Sequence, residues 1–254
     1  MKLSIITVCF NSQNTLQRTI QSVTSQNYSD IEYIIIDGAS RDNTVGLIEK
    51  NQSLIDRWVS EPDQGIYDAM NKGIAMASGN VIGFLNSDDI FYDENVAKKI
   101  MQRFKDPDID IVFGGLNFIN NNLKLVRTWQ SSAFKPGAFD RGWRRALPTV
   151  YVRRHVYDKL GPYCTTMSVA ADFEMMLRAL EVHKFSSSFI DEILITFSMG
   201  GNSTGSLKNI IRGNREIIEA FKKNNIEINT IIYVMNRFFP KISNLIKFKL
   251  GIKL

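Results

Sequence analysis

Four stretches of this chain are apolar almost without a break: LSIITVCF (3–10), IEYIIID (31–37), NVIGFL (80–85) and IDIVFG (109–114). A strand with one wet face alternates apolar and polar residues, whereas a continuous Ile/Val run describes a strand buried on both faces. Such strands belong to a parallel sheet covered by helices, and the intervening segments supply the helices. NTLQRTIQSVTSQ (14–26) repeats Leu16, Ile20 and Val23 at the helical period, and GIYDAMNKGIAMAS (65–78) offers Ala69, Ile74 and Ala77. TVGLIEKN (44–51) and ENVAKKIMQRF (94–104) read as two more helices, and RWVS (57–60) as a short strand. The reading is an α/β fold with a mostly parallel, Rossmann-like sheet flanked by helices.

The second half is less regular. LNFINNNLKLVRTW (116–129) reads as a hairpin turning at residues 120–122, and TVYVRRHVYDKLG (149–161) as a strand followed by a helix. MSVAADFEMMLRALEV (167–182) reads as a helix, FIDEILITFS (189–198) as a strand, GGNST (200–204) as a loop, and 207–224 as a long helix. Residues 1–205 are expected to form one domain, with 206–254 as a C-terminal helical appendage.

Ligands of an open parallel sheet bind outside the carboxyl ends of its strands. The expected strand ends carry Asn11 and Ser12, then Asp37, then Asp63, then the adjacent pair Asp88 and Asp89. Neighbouring carboxylates repel, and near a core they need neutralising. They suit ribose hydroxyls, base N–H groups and a hard divalent cation such as Mg²⁺ or Mn²⁺. The bland alternative is a solvated turn capping the next helix. Neither a Walker loop nor GxGxxG is present, which disfavours ordinary ATP or dinucleotide binding.

TVCFN, IIDGASRDNT, SEPDQGIYDAMNKGIAMASGNVIGFLNSDD and AADFEMMLR occur in this order. Together they make residues 1–205 resemble the family 2 glycosyltransferases of GT-A fold, most specifically over residues 60–89. The resemblance implies transfer of a sugar, with inversion, from a nucleotide diphosphate donor of UDP type to a saccharide hydroxyl. The setting it suggests is surface-polysaccharide or lipid-linked oligosaccharide assembly. It implies that Thr7 meets the nucleotide, that Asp37 contacts the base, and that Asp63 flanks base and ribose. Asp88 would approach the ribose or the metal, Asp89 would ligate Mn²⁺ or Mg²⁺, and Asp172 would be the catalytic base. Met70 stands where many members carry arginine, so Lys72 is the substitute donor contact. Histidine is absent from ALPT (146–149) and from ITFSMGGNST (195–204), which leaves Asp89 as the one side-chain ligand the pattern supplies and implies weak metal dependence. The alternatives are a nucleotidyltransferase and a catalytically inactive nucleotide-sugar-binding or membrane scaffold protein.

The net charge is +5. From Ile228 to Leu254 there are five basic residues (Arg237, Lys241, Lys247, Lys249, Lys253) and no acid, so the excess lies wholly in that tail. A neutral body disfavours nucleic-acid binding. Cations interleaved with Ile231, Phe238, Phe239, Ile242, Ile246 and Phe248 suit an interfacial membrane helix, with a dimer-interface helix as the alternative. The arginines of DRGWRR (140–145) read either as a solvated face or as ligands for the diphosphate of a lipid-linked acceptor. Cys9 and Cys164 show neither metal spacing nor a disulfide framework, which suits a reducing, cytoplasmic setting and a peripheral place on the cytoplasmic membrane face. The apolar N-terminal stretch reads as a first strand rather than a signal peptide, and no apolar window is long enough to span a bilayer.

Overall fold

The computed structural model describes residues 1–120, 122–199, 207–228 and 233. The chain begins with β1 (Leu3–Cys9), α1 (Leu16–Thr24), β2 (Ile31–Asp37), α2 (Thr44–Lys50), β3 (Arg57–Ser60), α3 (Ile66–Met76) and β4 (Val81–Phe84). It continues with β5 (Ile90–Phe91), α4 (Val96–Arg103), β6 (Ile111–Ile119), β7 (Leu125–Trp129), β8 (Tyr151–Arg153) and α5 (Arg154–Leu160). The last described elements are α6 (Ala171–Leu177), β9 (Ser187–Ser198) and α7 (Leu207–Lys223).

One nine-stranded sheet runs in the order β3-β2-β1-β4-β8-β6-β9-β5, with β7 beside β6. The first four strands of that order are parallel throughout, which is the part the Ile/Val runs specify. Beyond β4 the sheet is mixed: β8 pairs antiparallel with β4 and β6, while β6 and β9 are parallel. The run at 109–114 and the first arm of the expected hairpin are a single strand, β6. Residues 90–91, directly after the paired acids, form a short strand against the end of β9. The bland reading of NSDD is therefore not what the chain does, because α4 starts only at Val96.

Every residue of β1 is buried, and its two faces enter two different cores. Leu3, Ile5 and Cys9 pack with Tyr33 and Ile35 under α1 and α4. Ile6 and Val8 pack with Ile34 and Ile36 under α3, α5, α6 and α7. Gly73 lets α3 sit on β1: a Cβ there would lie 2.4 Å from Ile6 Cγ2. The long helix after residue 206 joins this second core, because Ile217, Ala220 and Phe221 of α7 pack with Phe173 of α6. The tail reading for 231–254, apart from buried Tyr233, and the loop reading for 200–204 lie outside the described residues. No described helix is long and apolar enough to cross a membrane.

One buried acid has a purely architectural role. Glu32 of β2 accepts hydrogen bonds from Ser4 Oγ (2.5 Å), Ser78 N (2.7 Å) and Ser78 Oγ (2.7 Å). Burial works to raise its pKa, but the Ser4 and Ser78 bonds and the Arg57 charge outweigh that and hold it below the ordinary value. A depressed folded pKa gives stability that is present above the unfolded pKa and is lost as pH falls through the folded one. Glu32→Gln is therefore expected to cost roughly 1–3 kcal/mol near neutral pH. The difference should shrink once acid has protonated Glu32 in the parent. Urea denaturation at the two pH values checks this, and an unchanging difference would remove the carboxylate from the account.

Candidate active site

The carboxyl ends of β1, β2 and β3 lie side by side, with Cys9 opposite Asp37 and Asp37 opposite Ser60. That register encloses Asp37, whose side chain is 0% exposed. Its Oδ2 accepts Ser40 N (2.9 Å) and Ser60 Oγ (2.7 Å), while Oδ1 accepts Ser40 Oγ and the Cys9 thiol. Burial, followed by the Asp37 charge, pushes the Cys9 thiol far up, so it is an inert core group. The carboxylate of Asp37, expected to contact the base, ties the ends of β1, β2 and β3 together through Cys9 and Ser60. Thr7, expected to meet the nucleotide, lies within β1. It points into the core, fully buried, with its Oγ1 3.1 Å from Tyr33 Oη. Period-two alternation explains this, because a residue inside a doubly covered strand faces a core whichever way it points.

The groups that do face solvent here lie just beyond the strand ends. Phe10 is 55% exposed although it directly follows a buried strand. Asp63 is half-buried, with Oδ1 accepting Gly65 N at 2.9 Å. Both flank Gly38, where a Cβ would lie 2.4 Å from Asp63 Oδ2 and 3.5 Å from the Phe10 ring. Glycine thus leaves a narrow gap between an aromatic face and a carboxylate. The Lys72 ammonium, expected at the donor, is held by Glu61 (2.8 Å) and the Pro62 carbonyl (2.8 Å). It braces the loop carrying Asp63. An aromatic residue ending an otherwise buried run was the signal for Phe10.

Asp88 and Asp89 follow β4 and differ sharply. Asp89 is fully buried, its Oδ1 accepting Ser198 N (3.2 Å) and its Oδ2 the Asn86 amide (3.0 Å). Asp88 is half-buried, and no other described residue donates to its carboxylate. Burial raises the pKa of both, and the Asp88 charge adds to the rise at Asp89. Beside them Asn86 Oδ1 is buried with no hydrogen-bond partner. An orphaned amide oxygen next to two strained carboxylates is an all-oxygen donor set, which fits a hard divalent cation. Among the described residues, no group of three or more His, Cys, Asp or Glu gathers to hold a metal by protein side chains alone. Open positions would have to be completed by a ligand's oxygens or water.

Asp172 stands in the first turn of α6. Tyr67 Oη lies 3.0 Å from both Asp172 Oδ1 and the Val169 carbonyl, so its one proton is shared between them. Burial, then the Asp172 charge, pushes the Tyr67 hydroxyl well up, keeping it a neutral donor. Tyr67 opens α3 directly after the Asp63 loop, at the carboxyl edge of β3. The Tyr163 ring spans from Tyr67 (5.7 Å) to Phe84 (5.9 Å), the last residue of β4. Asp172 and the paired acids therefore share one edge of the sheet. The approach to Asp172 is set from α7: Glu216 accepts Ser168 N (3.0 Å), Ser168 Oγ (3.0 Å), Val169 N (2.8 Å) and Ala170 N (2.9 Å). These bonds hold residues 168–170 as a loop, which is why α6 begins at Ala171 rather than 167. No sequence signal marks Glu216 or Tyr67 for these tasks.

The family model described as Glycosyl transferase family 2 matches residues 4–172. The chain is 35% identical over 182 residues to the uncharacterized glycosyltransferase Rv1514c of Mycobacterium tuberculosis, covering 70% of this chain and 68% of that protein. Its fold is similar to Staphylococcus aureus TarS 1–349 in complex with UDP-GlcNAc, with TM-score 0.70 and 17% identity over 100% of this chain and 77% of the other. It is also similar to the mannosyltransferase PcManGT of Pyrobaculum calidifontis, solved with GDP-Man and Mn²⁺, with TM-score 0.67 and 14% identity over 93% and 69%.

Proposed function

Because the chain belongs to glycosyl transferase family 2 and is a glycosyltransferase, we propose that it moves a sugar, with inversion, from a UDP-sugar to a hydroxyl of a saccharide acceptor. The observation that carries this reading is the single sheet edge shared by the Asp88–Asp89 pair, with the orphaned Asn86 Oδ1 beside it, and a Tyr67-held aspartate. The Phe10 face offers a stacking platform for the base, and Asp63 accepts from ribose or base donors. Asp88 and Asp89, with Asn86 Oδ1, would hold Mg²⁺ or Mn²⁺, which when bound offsets negative charge on the departing diphosphate. Asp172 takes the proton of the acceptor hydroxyl as its oxygen bonds to the anomeric carbon. The bond from that carbon to the phosphate oxygen breaks, and UDP leaves with the electron pair. A one-step displacement needs one base, and Tyr67 keeps that base oriented.

Thermal denaturation of the full chain with UDP-, GDP- and dTDP-sugars, each with and without Mn²⁺, tests the donor and the metal together. The expected result is stabilisation by UDP-sugars, larger with Mn²⁺, and a UDP affinity about tenfold weaker in Phe10→Ala, the stacking contribution of one base. A chain that no nucleotide sugar stabilises would overturn the reading. The acid-free basic tail supports attachment to an anionic membrane surface on its cytoplasmic face. Removing residues 231–254 is expected to abolish co-sedimentation with phosphatidylglycerol vesicles, and undiminished binding would exclude the tail as the anchor.

A further inference from the structure

Arg145 is a buried cation, 4% exposed. Its Nη2 donates to the Asp172 carbonyl at 2.5 Å, yet its Nε is buried with no partner. Its neighbour Arg144 has Nε and Nη2 buried without partners too. No carboxylate lies within 4.0 Å of either guanidinium among the described residues. The segment is not loose, since Ser131 Oγ holds the Arg144 carbonyl at 2.8 Å and Trp143 Nε1 holds Ser132 O at 2.9 Å. Buried unpaired guanidinium groups are unfavourable, and such orphans ask for a ligand. An oxyanion with several acceptor oxygens matches the fork geometry of arginine.

Position decides which anion. Arg145 Nη2 is bonded to the backbone of Asp172, the residue that would act as base. The cation bonded at the paired acids after β4 is a different one, Arg18, whose Nη2 donates to the Asp88 carbonyl at 3.5 Å. The arginine pair therefore lies beside the base that meets the acceptor, not beside the residues that would hold the donor diphosphate. We infer that Arg144 and Arg145 form an anion subsite that binds a phosphate group of the acceptor next to its reacting hydroxyl. This rests on the glycosyltransferase reading above and adds the acceptor's class, a phosphate-bearing saccharide.

The test is calorimetric titration of the full chain with inorganic phosphate, alone and after saturation with UDP, in the parent, Arg144→Gln and Arg145→Lys. Phosphate should bind the parent equally well with UDP present. Each replacement should weaken phosphate about tenfold or more, the loss of a charge-assisted bond, and leave UDP affinity unchanged. Half-buried Arg144 is the variant least expected to disturb folding. Its Tm without phosphate should hold or rise, because removing an unpaired buried charge relieves the core. UDP displacing phosphate would assign the pair to the donor and overturn the proposal. Phosphate affinity unchanged in both variants, with lowered Tm, would make the pair structural and also overturn it. UDP bound without any phosphate binding defeats only this subsite, whereas a parent that binds neither defeats the glycosyltransferase reading itself.

Discussion

Replacing Asp172 with asparagine is expected to lower kcat by roughly 10²- to 10⁴-fold, the usual contribution of a positioned general base. The donor dissociation constant should stay within about twofold, since the Asp172 side chain is bonded to Tyr67 and not to Asp63, Asp88 or Asp89. The substitution is informative because the fold should not notice it. Asparagine keeps an oxygen for the Tyr67 hydroxyl, and the Arg145 bond goes to the backbone carbonyl of residue 172. What disappears is the capacity to take a proton. Single-turnover transfer combined with equilibrium UDP-sugar binding separates the two quantities. Parent-level turnover by the variant would remove Asp172 from the mechanism.

Glu216→Gln should produce the second large effect, although Glu216 touches no reacting atom. Its two oxygens receive three consecutive backbone N–H groups and one hydroxyl, and the residue is 7% exposed. Glutamine has one acceptor oxygen, and its amide nitrogen would face donors that can no longer be satisfied. Each buried group left unpaired costs about 1–3 kcal/mol, so a destabilisation of roughly 3 kcal/mol is expected. The loop at 168–170 leads directly to Asp172, and a misplacement of about 1 Å at a catalytic group costs on the order of 10²-fold. Urea denaturation reads the first effect, and kcat measured where the variant is still fully folded reads the second. A stable variant with parent kcat would show that α7 merely covers α6.

Much of the scaffold was legible because it is local. Continuous Ile/Val runs specify doubly covered strands whatever their neighbours, and the parallel set β1–β4 came out at the expected boundaries within a residue or two. Acids just past the ends of those runs could be placed on the ligand edge by topology alone. Less legible was what each acid does there. Asp37 and Asp63 read alike in the sequence, yet one is enclosed by Ser40 and Ser60 and the other lies open over Gly38. Lys72 read as a donor contact, and only the structure shows its ammonium paired with Glu61.

What the sequence by itself determined, then, is a helix-covered parallel sheet with a row of carboxylates along its ligand edge. Both follow from short-range periodicity and from the rule that strand ends face the binding crevice. Only the tertiary structure decided which carboxylates remain open. Their partners arrive from far along the chain: Ser198 to Asp89 across 109 residues, Tyr67 to Asp172 across 105, Glu216 to Ser168 across 48. A hydrogen bond needs atoms within about 3 Å, and no local pattern reports which distant segment the packing of two cores will bring that close.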